Sequence, residues 1–484
     1  MTERSVGYVE TKHHHHLKEL FRLVNGDELA GVSIAYETYG KLNSDKSNVI
    51  LICHALTGDA HAAGWHEGDK KPGWWDIVIG PGKAFDTNKY FVICSNVLGG
   101  CKGTTGPAST NPQSGLPYGL SFPRITIEDM VNLQYKLLKN LGISSLYAIA
   151  GGSMGGMQVL QWTVSYPDFM KKAIVLASTA ISSPQQIAFN EVARQAIIRD
   201  PYWNDGDYYG GELPKQGLSL ARMIGHITYL SDDSMHDKFG RDTRENEMFQ
   251  VESYLHHQGD TFTSRFDPNS YLYLTGAVDN FDLSNGFSLA KSFSNIESEF
   301  MIISVSSDWL YPSYQSEEIV QALGSNDINV QYRKLISHFG HDAFLLEKGQ
   351  LNYLLSTFLG HLTVGDVMSE DVSTLREGCT LEEAAQLMIL NNATHIPILA
   401  ASGRITGIVT SWDITRAVAN KISSIEKILS RDILTSHPDE SLSNAALIME
   451  DNAISALPVV DDRGCLVGIL SSDTISAMVG RGAK

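Results

Sequence analysis

The chain has 484 residues, a length that predicts two or more domains. Its hydrophobic fraction of 43% is typical of a folded globular protein, and no apolar run approaches the roughly 20 residues that span a bilayer. The start, Met1 to Ser5, lacks a signal peptide, so we expect a cytoplasmic protein without membrane contact. The formal net charge of −18, without a long basic block, argues against binding to nucleic acid.

Cysteine and histidine content gives no sign of a disulfide framework or a metal site. The cysteines are odd in number, scattered and without a CxxC pair, so we expect free thiols at Cys53, Cys94, Cys101, Cys379 and Cys465. The run His13 to His16 has no second cluster of ligands nearby in the sequence. We therefore predict a solvated surface segment there, no metal and no bound cofactor.

The pattern of the first three quarters of the chain indicates an α/β domain. From about residue 17 to 361, short β-branched runs alternate with longer helical ones, which predicts a mostly parallel sheet covered by helices. The clearest predicted strands are residues 48–53, 90–94, 146–150, 173–177, 300–305 and 330–335. Between residues 181 and about 289 helical stretches replace this alternation (187–198, 218–229 and 247–258), and such an insertion is typical of a lid.

An internal repeat begins after residue 361. The sequence LEEAAQLM at 381–388 aligns with LSNAALIM at 442–449, and IPI at 396–398 aligns with LPV at 457–459, both at an offset of 61. Each repeat predicts a helix, a strand ending in proline, a turn, a strand and a helix. The pair predicts a second, smaller α+β domain, and we place the domains at residues 1–361, 362–420 and 421–484.

Ser153 is the candidate nucleophile. It lies in GGSMGG at 151–156, directly after the apolar run 146–150 and before a helix-like stretch at 157–162. A strand, a sharp turn and a helix with serine at the apex form the GxSxG nucleophile elbow, whose glycines permit a strained backbone and close packing. A glycine-rich turn with an incidental serine is the alternative interpretation, which the preceding strand disfavours.

A serine nucleophile needs a base, and the base needs an orienting acid. In hydrolase-type chain order the acid and then the histidine follow the serine. Asp308 follows the predicted strand 300–305, and His341 follows the next strand, so both come at the carboxyl ends of parallel strands. Their positions favour them as acid and base. The competing histidines are His338, His54 and His226.

Two backbone amides are candidates for the oxyanion hole. One belongs to Met154, the residue after the nucleophile, and the helix that begins there also directs free N–H groups toward the site. The second is the amide of Leu56, in the loop HALTG at 54–58 that follows an early strand. A tight structural turn at HALTG would have the same sequence pattern.

Several longer motifs resemble the homoserine O-acetyltransferase family, an acyltransferase branch of the α/β-hydrolase superfamily. They are HALTG, GWW at 73–75 with IGPGKAFDT at 79–87, NVLGGC at 96–101 with GTTGP at 103–107, GGSMGG, and GHDAF at 340–344. The match spans nearly all of residues 7–361. The resemblance implies an α/β-hydrolase fold with a helical lid, a triad of Ser153, Asp308 and His341, and an oxyanion hole lined by Leu56 and Met154.

The resemblance also implies how the acceptor is held. In the family an arginine and a tyrosine of the lid, with the aspartate after the catalytic histidine, hold homoserine, and the matching residues are Arg222, Tyr229 and Asp342. A zwitterionic amino acid needs a cation for its carboxylate and an anion for its ammonium group, which Arg222 and Asp342 supply. Taken without the family, Arg222 is equally a surface helix residue, and Asp342 a helix cap.

The implied reaction carries an acetyl group from acetyl-coenzyme A, as co-substrate, to homoserine through an acetyl-serine. Three alternatives keep the site and change the chemistry: a succinyl donor, serine as acceptor, or ester hydrolysis by water. A fourth, from a different class, makes the whole chain a nucleotide sensor with an inactive hydrolase fold. The intact set of Ser153, Asp308 and His341 argues against the sensor.

The C-terminal repeats resemble a tandem of CBS domains, modules that bind adenosine-type ligands between the two units. The ribose-binding pattern is met by Gly407 to Asp413, which implies Thr410 and Asp413 as nucleotide-binding residues. In the second repeat Thr474 stands where the family has aspartate, so one competent cleft is expected. A capping role for Asp413 stays open. We expect a nucleotide or S-adenosylmethionine to regulate the enzyme, and a homodimer; a purely structural or dimerising tail is the alternative.

Overall fold

The computed structural model describes residues 5–9, 13–244, 247–360 and 362–480. The chain divides into two compact units, residues 1–351 and 352–484, and each has its own hydrophobic core. His361, where the sequence analysis ends the first domain, lies outside the described residues. Within these ranges no helix is both long enough and apolar enough to cross a bilayer.

An eight-stranded sheet occupies the centre of the first unit. The strands described there are β1 (His13–His16), β2 (Phe21–Arg22), β3 (Glu28–Leu29), β4 (Ser33–Tyr39), β5 (Val49–Cys53), β6 (Phe91–Ser95), β7 (Leu146–Gly152), β8 (Met170–Leu176), β9 (Glu299–Val305) and β10 (Val330–Leu335). The sheet order is β1-β4-β6-β5-β7-β8-β9-β10, with β2 and β3 forming a separate hairpin. From β6 to β10 the strands are parallel, and β1 and β4 complete one edge in antiparallel pairs.

Helices cover the sheet and build the predicted insertion. Those of the first unit are α1 (Ile127–Asn140), α2 (Met154–Ser165), α3 (Pro184–Ile198), α4 (Lys215–Tyr229), α5 (Asp232–Phe239), α6 (Gln250–Thr263), α7 (Pro268–Asp279), α8 (Leu289–Ser292), α9 (Ser313–Gly324) and α10 (Ala343–Leu346). The next helix, α11 (Lys348–Leu359), begins in the first unit and lies mostly in the second. Helices α3 to α8 lie between β8 and β9 in the chain and form the helical lid that the sequence pattern predicted.

The parallel core strands are predictable from the sequence because they are continuous apolar runs. All five residues of β5 are buried, as expected for a strand covered by helices on both faces. The antiparallel edge was missed: β4 alternates buried and partly exposed residues, and β1 is the histidine run. The histidines are mostly exposed, as predicted for a surface segment, but their backbone pairs with β4 as an edge strand.

Parallel strands bring their carboxyl ends to one edge of the sheet, where sites form in such folds. The loop carrying Leu56 follows β5, the serine follows β7, and Asp308 follows β9. His341 lies in a short 3₁₀ turn, Gly340–Asp342, after β10. The fold therefore gathers four segments that are far apart in sequence.

The second unit repeats one arrangement of helix, strand, strand and helix. The first repeat holds β11 (Leu375–Arg376), α12 (Leu381–Asn391), β12 (His395–Leu399), β13 (Ile405–Thr410) and α13 (Ser411–Ala419). The second holds α14 (Leu442–Asp451), β14 (Ala456–Val460), β15 (Leu466–Ser471) and α15 (Ser472–Gly480). The order of helices and strands matches the sequence prediction for both repeats.

The prolines of the repeats lie within strands, and the prediction that each strand ends at proline is wrong. Pro397 pairs with Ile408 in the middle of the ladder between β12 and β13. The amide and carbonyl of Ile408 bond to Ser430 instead, so this pair exchanges no ladder hydrogen bond. Pro458 is placed in the same way, because the amide and carbonyl of its ladder partner Ile469 bond to Ser369. Neither position requires the N–H that proline lacks.

Candidate active site

Ser153 occupies a strained turn between β7 and α2. Its backbone angles are φ 57° and ψ −126°, outside the regions that side chains with a Cβ ordinarily adopt. The surroundings hold this conformation: the Ser153 amide donates to the Leu176 carbonyl at 3.0 Å, and the Ser178 hydroxyl donates to the Ser153 carbonyl at 2.8 Å. The turn presents the serine at the start of α2, as the nucleophile elbow requires.

Gly155 lets α2 pack directly against the end of β5. A Cβ at this position would lie 2.1 Å from the carbonyl oxygen of Cys53, which belongs to a fully buried strand. No side chain fits at this distance, so the glycine is dictated by close approach. Its presence fixes the distance between the elbow and the loop that begins at His54.

We expect Gly155→Ala to lower the free energy of unfolding by about 1 to 3 kcal/mol, because the backbones of α2 and β5 must separate. Gly276→Ala is the matched control, since that helical glycine has nothing within 4 Å of its missing Cβ. Alanine there should leave stability unchanged or raise it by up to about 1 kcal/mol. Urea unfolding measures both, and equal effects of the two substitutions would contradict the packing argument.

Asp308 and His341 form a buried hydrogen-bonded pair. Nδ1 of His341 donates to Oδ2 of Asp308 at 2.7 Å, and the two residues are 3% and 5% exposed. The second carboxylate oxygen of Asp308 accepts from the amides of Leu310 at 3.0 Å and Tyr311 at 2.8 Å. Because Nδ1 is committed to Asp308, Nε2 is the ring nitrogen that remains for proton transfer.

The environment of His341 raises its pKa above the ordinary value. Burial alone lowers the pKa, but the charge of Asp308, its hydrogen bond and the charge of Asp342 together outweigh burial. The Tyr311 ring stacks on the imidazole at 4.8 Å between centroids. The histidine is thus held in one orientation and stabilised in its protonated form.

Gly340 brings His341 against the lid. Its φ of +67° belongs to the left-handed region, and a Cβ there would lie 2.6 Å from the Tyr229 carbonyl oxygen and from the Ser231 amide nitrogen. The turn after β10 therefore packs against the end of α4. As a result, the end of lid helix α4 lies directly beside the residue that precedes His341.

The competing histidines have other surroundings. His338 is exposed, and its ring packs on Phe339. His54 accepts from the Val97 amide through Nε2 at 3.1 Å, a backbone contact typical of a structural histidine. Burial, with the charges of Arg222, Lys238 and Arg265, lowers the pKa of His226 to about 3, so that ring stays neutral.

A cavity lies beside the serine. Leu56, Ser153 and Met154 line it together, so both predicted oxyanion donors border the same space as the nucleophile. Met154 is the first residue of α2, where the amide has no partner within the helix. Lid residues close the opposite side, among them Tyr229 and Tyr271.

The predicted acceptor-binding residues are grouped around Tyr229. The Arg222 guanidinium lies 5.7 Å from the centre of the Tyr229 ring, and that ring lies 6.0 Å from the His341 ring. Nη1 of Arg222 is 3.3 Å from the Thr57 hydroxyl in the loop after β5. Burial raises the pKa of Asp342, while the charges of His341 and Arg222 lower it in part. Arg222 and Asp342 are therefore close enough for their charges to interact.

Two residues in this region were not predicted from the sequence. Tyr311 lines the same cavity as Ser153, and burial raises the pKa of its hydroxyl. Arg265 donates to the Thr57 carbonyl at 3.2 Å and shares the Phe262 ring with Arg222. The one indication of Tyr311 in the sequence is its position three residues after Asp308. The sequence contains no indication of Arg265, since a single arginine between two helices is common.

In the second unit, Thr410 and Asp413 satisfy each other in a capping box. Thr410 is the N-cap of α13 and accepts from the Asp413 amide at 3.2 Å, while the Asp413 carboxylate accepts from the Thr410 hydroxyl at 2.7 Å. Ser471 and Thr474 form the equivalent cap of α15. Thr474 thus takes the capping place of Asp413 without its negative charge.

Comparison with known proteins agrees with the fold. Residues 48–348 match the α/β hydrolase fold family, and residues 364–420 and 425–479 match the CBS domain family. A homoserine O-acetyltransferase of Methanohalophilus mahii is 93% identical over 484 residues, with 100% of both chains covered. The chain belongs to the homoserine O-acetyltransferase family. It is an acyltransferase, with an α/β-hydrolase fold and a C-terminal CBS pair, as the sequence predicted.

Solved structures place both transfer and hydrolysis on this fold. A homoserine O-acetyltransferase from Bacillus anthracis is 33% identical, with a TM-score of 0.69, and is matched over 72% of this chain and 98% of that one. The esterase E22 is 32% identical, with a TM-score of 0.68, over 72% of this chain and 99% of that one. An acetyltransferase and an esterase therefore both share this fold with the chain.

Proposed function

We propose that the enzyme transfers an acetyl group from acetyl-coenzyme A to the hydroxyl of L-homoserine, giving O-acetyl-L-homoserine for methionine biosynthesis, by a ping-pong reaction. The observation that carries the proposal is the grouping of Arg222, Tyr229 and Asp342 beside the buried pair of His341 and Asp308. Simple hydrolysis of an ester needs no such pair of opposite charges. An amino acid, which carries both charges, does.

In the first half-reaction the Ser153 hydroxyl attacks the thioester carbonyl and passes its proton to Nε2 of His341. The developing oxyanion accepts from the amides of Leu56 and Met154. As the tetrahedral intermediate collapses, the carbon–sulfur bond breaks, and the proton on His341 goes to the departing thiol. The product on the enzyme is an acetyl ester of Ser153.

In the second half-reaction the homoserine hydroxyl takes the place of the thiol. Arg222 binds its carboxylate and Asp342 its ammonium group, so the hydroxyl is directed toward the acyl-enzyme. His341 removes the hydroxyl proton as the homoserine oxygen bonds to the acetyl carbon. The bond between that carbon and the Ser153 oxygen then breaks, and His341 returns the proton to Ser153. The lid around Tyr229 and Tyr271 limits the access of water.

Thiol release from acetyl-coenzyme A, with and without homoserine, tests this proposal. We expect homoserine to stimulate release and to appear as its O-acetyl ester, with double-reciprocal plots that remain parallel as either substrate is varied. Succinyl-coenzyme A and L-serine should serve poorly. If release is independent of homoserine and no ester forms, the esterase alternative, which the similarity to esterase E22 favours, is correct.

We also propose that the CBS pair binds an adenosine-type ligand that regulates the enzyme, and that the protein is a cytoplasmic homodimer. Support comes from the CBS family match and from the polar pair Thr410 and Asp413 at the start of α13. The exposed apolar residues Ile389, Leu390 and Trp412 are available for self-association.

Calorimetry on the full chain with AMP, ATP and S-adenosylmethionine tests the regulatory proposal. We expect heat from at least one ligand, lost in Thr410→Val and kept in Ser471→Ala, the equivalent position of the second repeat. Light scattering should give a mass of two chains. The absence of heat with every ligand would contradict the binding proposal and leave a structural tail.

A further inference from the structure

A cluster of two histidines and two carboxylates lies outside the catalytic residues, where β4 meets the loop that follows β5. Glu37 comes from β4, and His61, His66 and Asp69 come from the loop. Donor atoms of Glu37, His61 and His66 all lie within 4.8 Å of one another. The cluster is not predicted from the sequence, because Glu37 lies far along the chain from the other three residues.

Glu37 is a buried carboxylate that its neighbours leave incompletely satisfied. The residue is 0% exposed, and its Oε2 accepts from the Tyr39 hydroxyl at 3.0 Å and from Nδ1 of His61 at 2.8 Å. Among the described residues, Oε1 of Glu37, Nε2 of His61 and Nε2 of His66 are buried atoms that make no hydrogen bond of good geometry, although each has an ion-pair neighbour at 3.1 to 3.3 Å. Three unsatisfied polar atoms in one place carry a large desolvation cost unless a ligand joins them.

The two imidazoles lie between the carboxylates of Glu37 and Asp69. Their rings stack at 3.9 Å, and each turns one nitrogen toward Glu37: Nδ1 of His61, 2.8 Å from Oε2, and Nε2 of His66, 3.1 Å from Oε1. The other nitrogens face Oδ2 of Asp69, at 3.3 Å for His61 and 3.8 Å for His66. A carboxylate behind a ligating histidine fixes its tautomer and orientation.

We propose that Glu37, His61 and His66 bind one divalent transition-metal ion of the zinc class, with Asp69 orienting the two histidines. Imidazole nitrogen and carboxylate oxygen are the ligands such ions prefer, and bonds of about 2.0–2.2 Å place donors roughly 3 to 3.5 Å apart, close to the spacings found here. The competing arrangement is a protonated His61 that neutralises Glu37 with no ion.

A metal here would brace the loop that carries the oxyanion donor. The loop runs from His54 through Leu56 and Thr57 to His61 and His66 before Gly73. Thr57 is also the contact of Arg222 and Arg265 from the lid. Tying the loop to β4 would restrict the position of the Leu56 amide, so the ion is expected to raise thermal stability without taking part in the reaction.

Metal binding is measured on the full chain in which His13, His14, His15 and His16 are replaced by glutamine, because that exposed run can also bind metal. After chelation, Co²⁺ is titrated as a spectroscopic probe and Zn²⁺ by competition with a chromophoric chelator. We expect one ion per chain, an intense visible Co²⁺ spectrum typical of four or five ligands, and a higher melting temperature.

Variants assign the ion to the cluster. Glu37→Gln and His66→Gln should each lower affinity by more than 100-fold, and Asp69→Asn by about 10- to 100-fold. His256→Gln, an exposed histidine of α6, is the control and should change nothing. Far-ultraviolet circular dichroism of the metal-free variants checks that they are folded, independently of any effect of the loop on activity. The proposal is overturned if the background chain takes up no ion, or if binding survives in both Glu37→Gln and His66→Gln.

Discussion

Asp308→Asn is expected to lower kcat by about 10⁴-fold, the size of loss known for Ser-His-Asp sites whose acid becomes an amide. The carboxylate accepts a hydrogen bond from Nδ1 of His341, which leaves Nε2 free to take a proton. An asparagine amide can donate to Nδ1 instead, which favours the tautomer whose Nε2 is already protonated. Steady-state rates of homoserine acetylation measure the effect, and melting temperature shows that the buried site remains folded.

The same substitution should shift the acidic limb of the pH–rate profile to lower pH. His341 acts as a base only when neutral, so activity falls as the pH drops through its pKa, which lies above the ordinary value of about 6.5. In Asp308→Asn the charge that raises this pKa is gone and burial, which lowers it, remains. The acid limb should therefore shift to lower pH.

The exposed histidine His338 supplies the control for both measurements. His338→Gln should keep the rate and the pH profile of the unaltered enzyme, because its ring lies in solvent on Phe339. If His338→Gln lost activity as Asp308→Asn does, or if the acid limb of Asp308→Asn stayed in place, His341 would not be the base that Asp308 orients.

Arg222→Met is expected to lower kcat/KM for homoserine by about 10²- to 10³-fold, because two charge-assisted hydrogen bonds to the carboxylate are lost. Methionine keeps most of the packing on Phe262 and Tyr229 and removes the charge together with the contact to the Thr57 hydroxyl. Acylation by acetyl-coenzyme A does not involve the amino acid, so its rate should hold. The acyl-enzyme would then be consumed mainly by water.

Arg222→Lys distinguishes the contribution of the positive charge from that of the planar guanidinium group. Lysine restores a cation without the planar pair of donors, so an intermediate loss is expected. Rapid-mixing measurements of acylation and of transfer to homoserine distinguish the two half-reactions. Equal losses in both would show that Arg222 supports the fold of the lid and not the acceptor.

The features best predicted from the sequence are those that depend on residues adjacent in the chain. The elbow around Ser153 and the parallel strands are encoded in continuous local patterns, and the positions of Asp308 and His341 follow from the strands before them. The structure brings these residues to the same edge of the sheet. Their catalytic roles are predictions that the variants above test.

Features that depend on distant packing were not predictable. Tyr311 and Arg265 reach the site only because the lid helices and the loop after β9 fold over it. Glu37 meets His61 through the antiparallel edge that the sequence pattern did not reveal. For Asp413, both a nucleotide-binding and a capping role fit the sequence, and only the structure shows the capping bonds.

The acyl group on Ser153 is the central claim, and mass spectrometry of the protein after brief exposure to acetyl-coenzyme A alone tests it most directly. We predict one acetyl group on the peptide containing Ser153, absent in Ser153→Ala and retained in Ser165→Ala, a serine at the far end of α2. Adding homoserine should discharge it as O-acetyl-homoserine. Product formation at the full rate without any acetylated Ser153, or by the Ser153→Ala enzyme, would contradict the account.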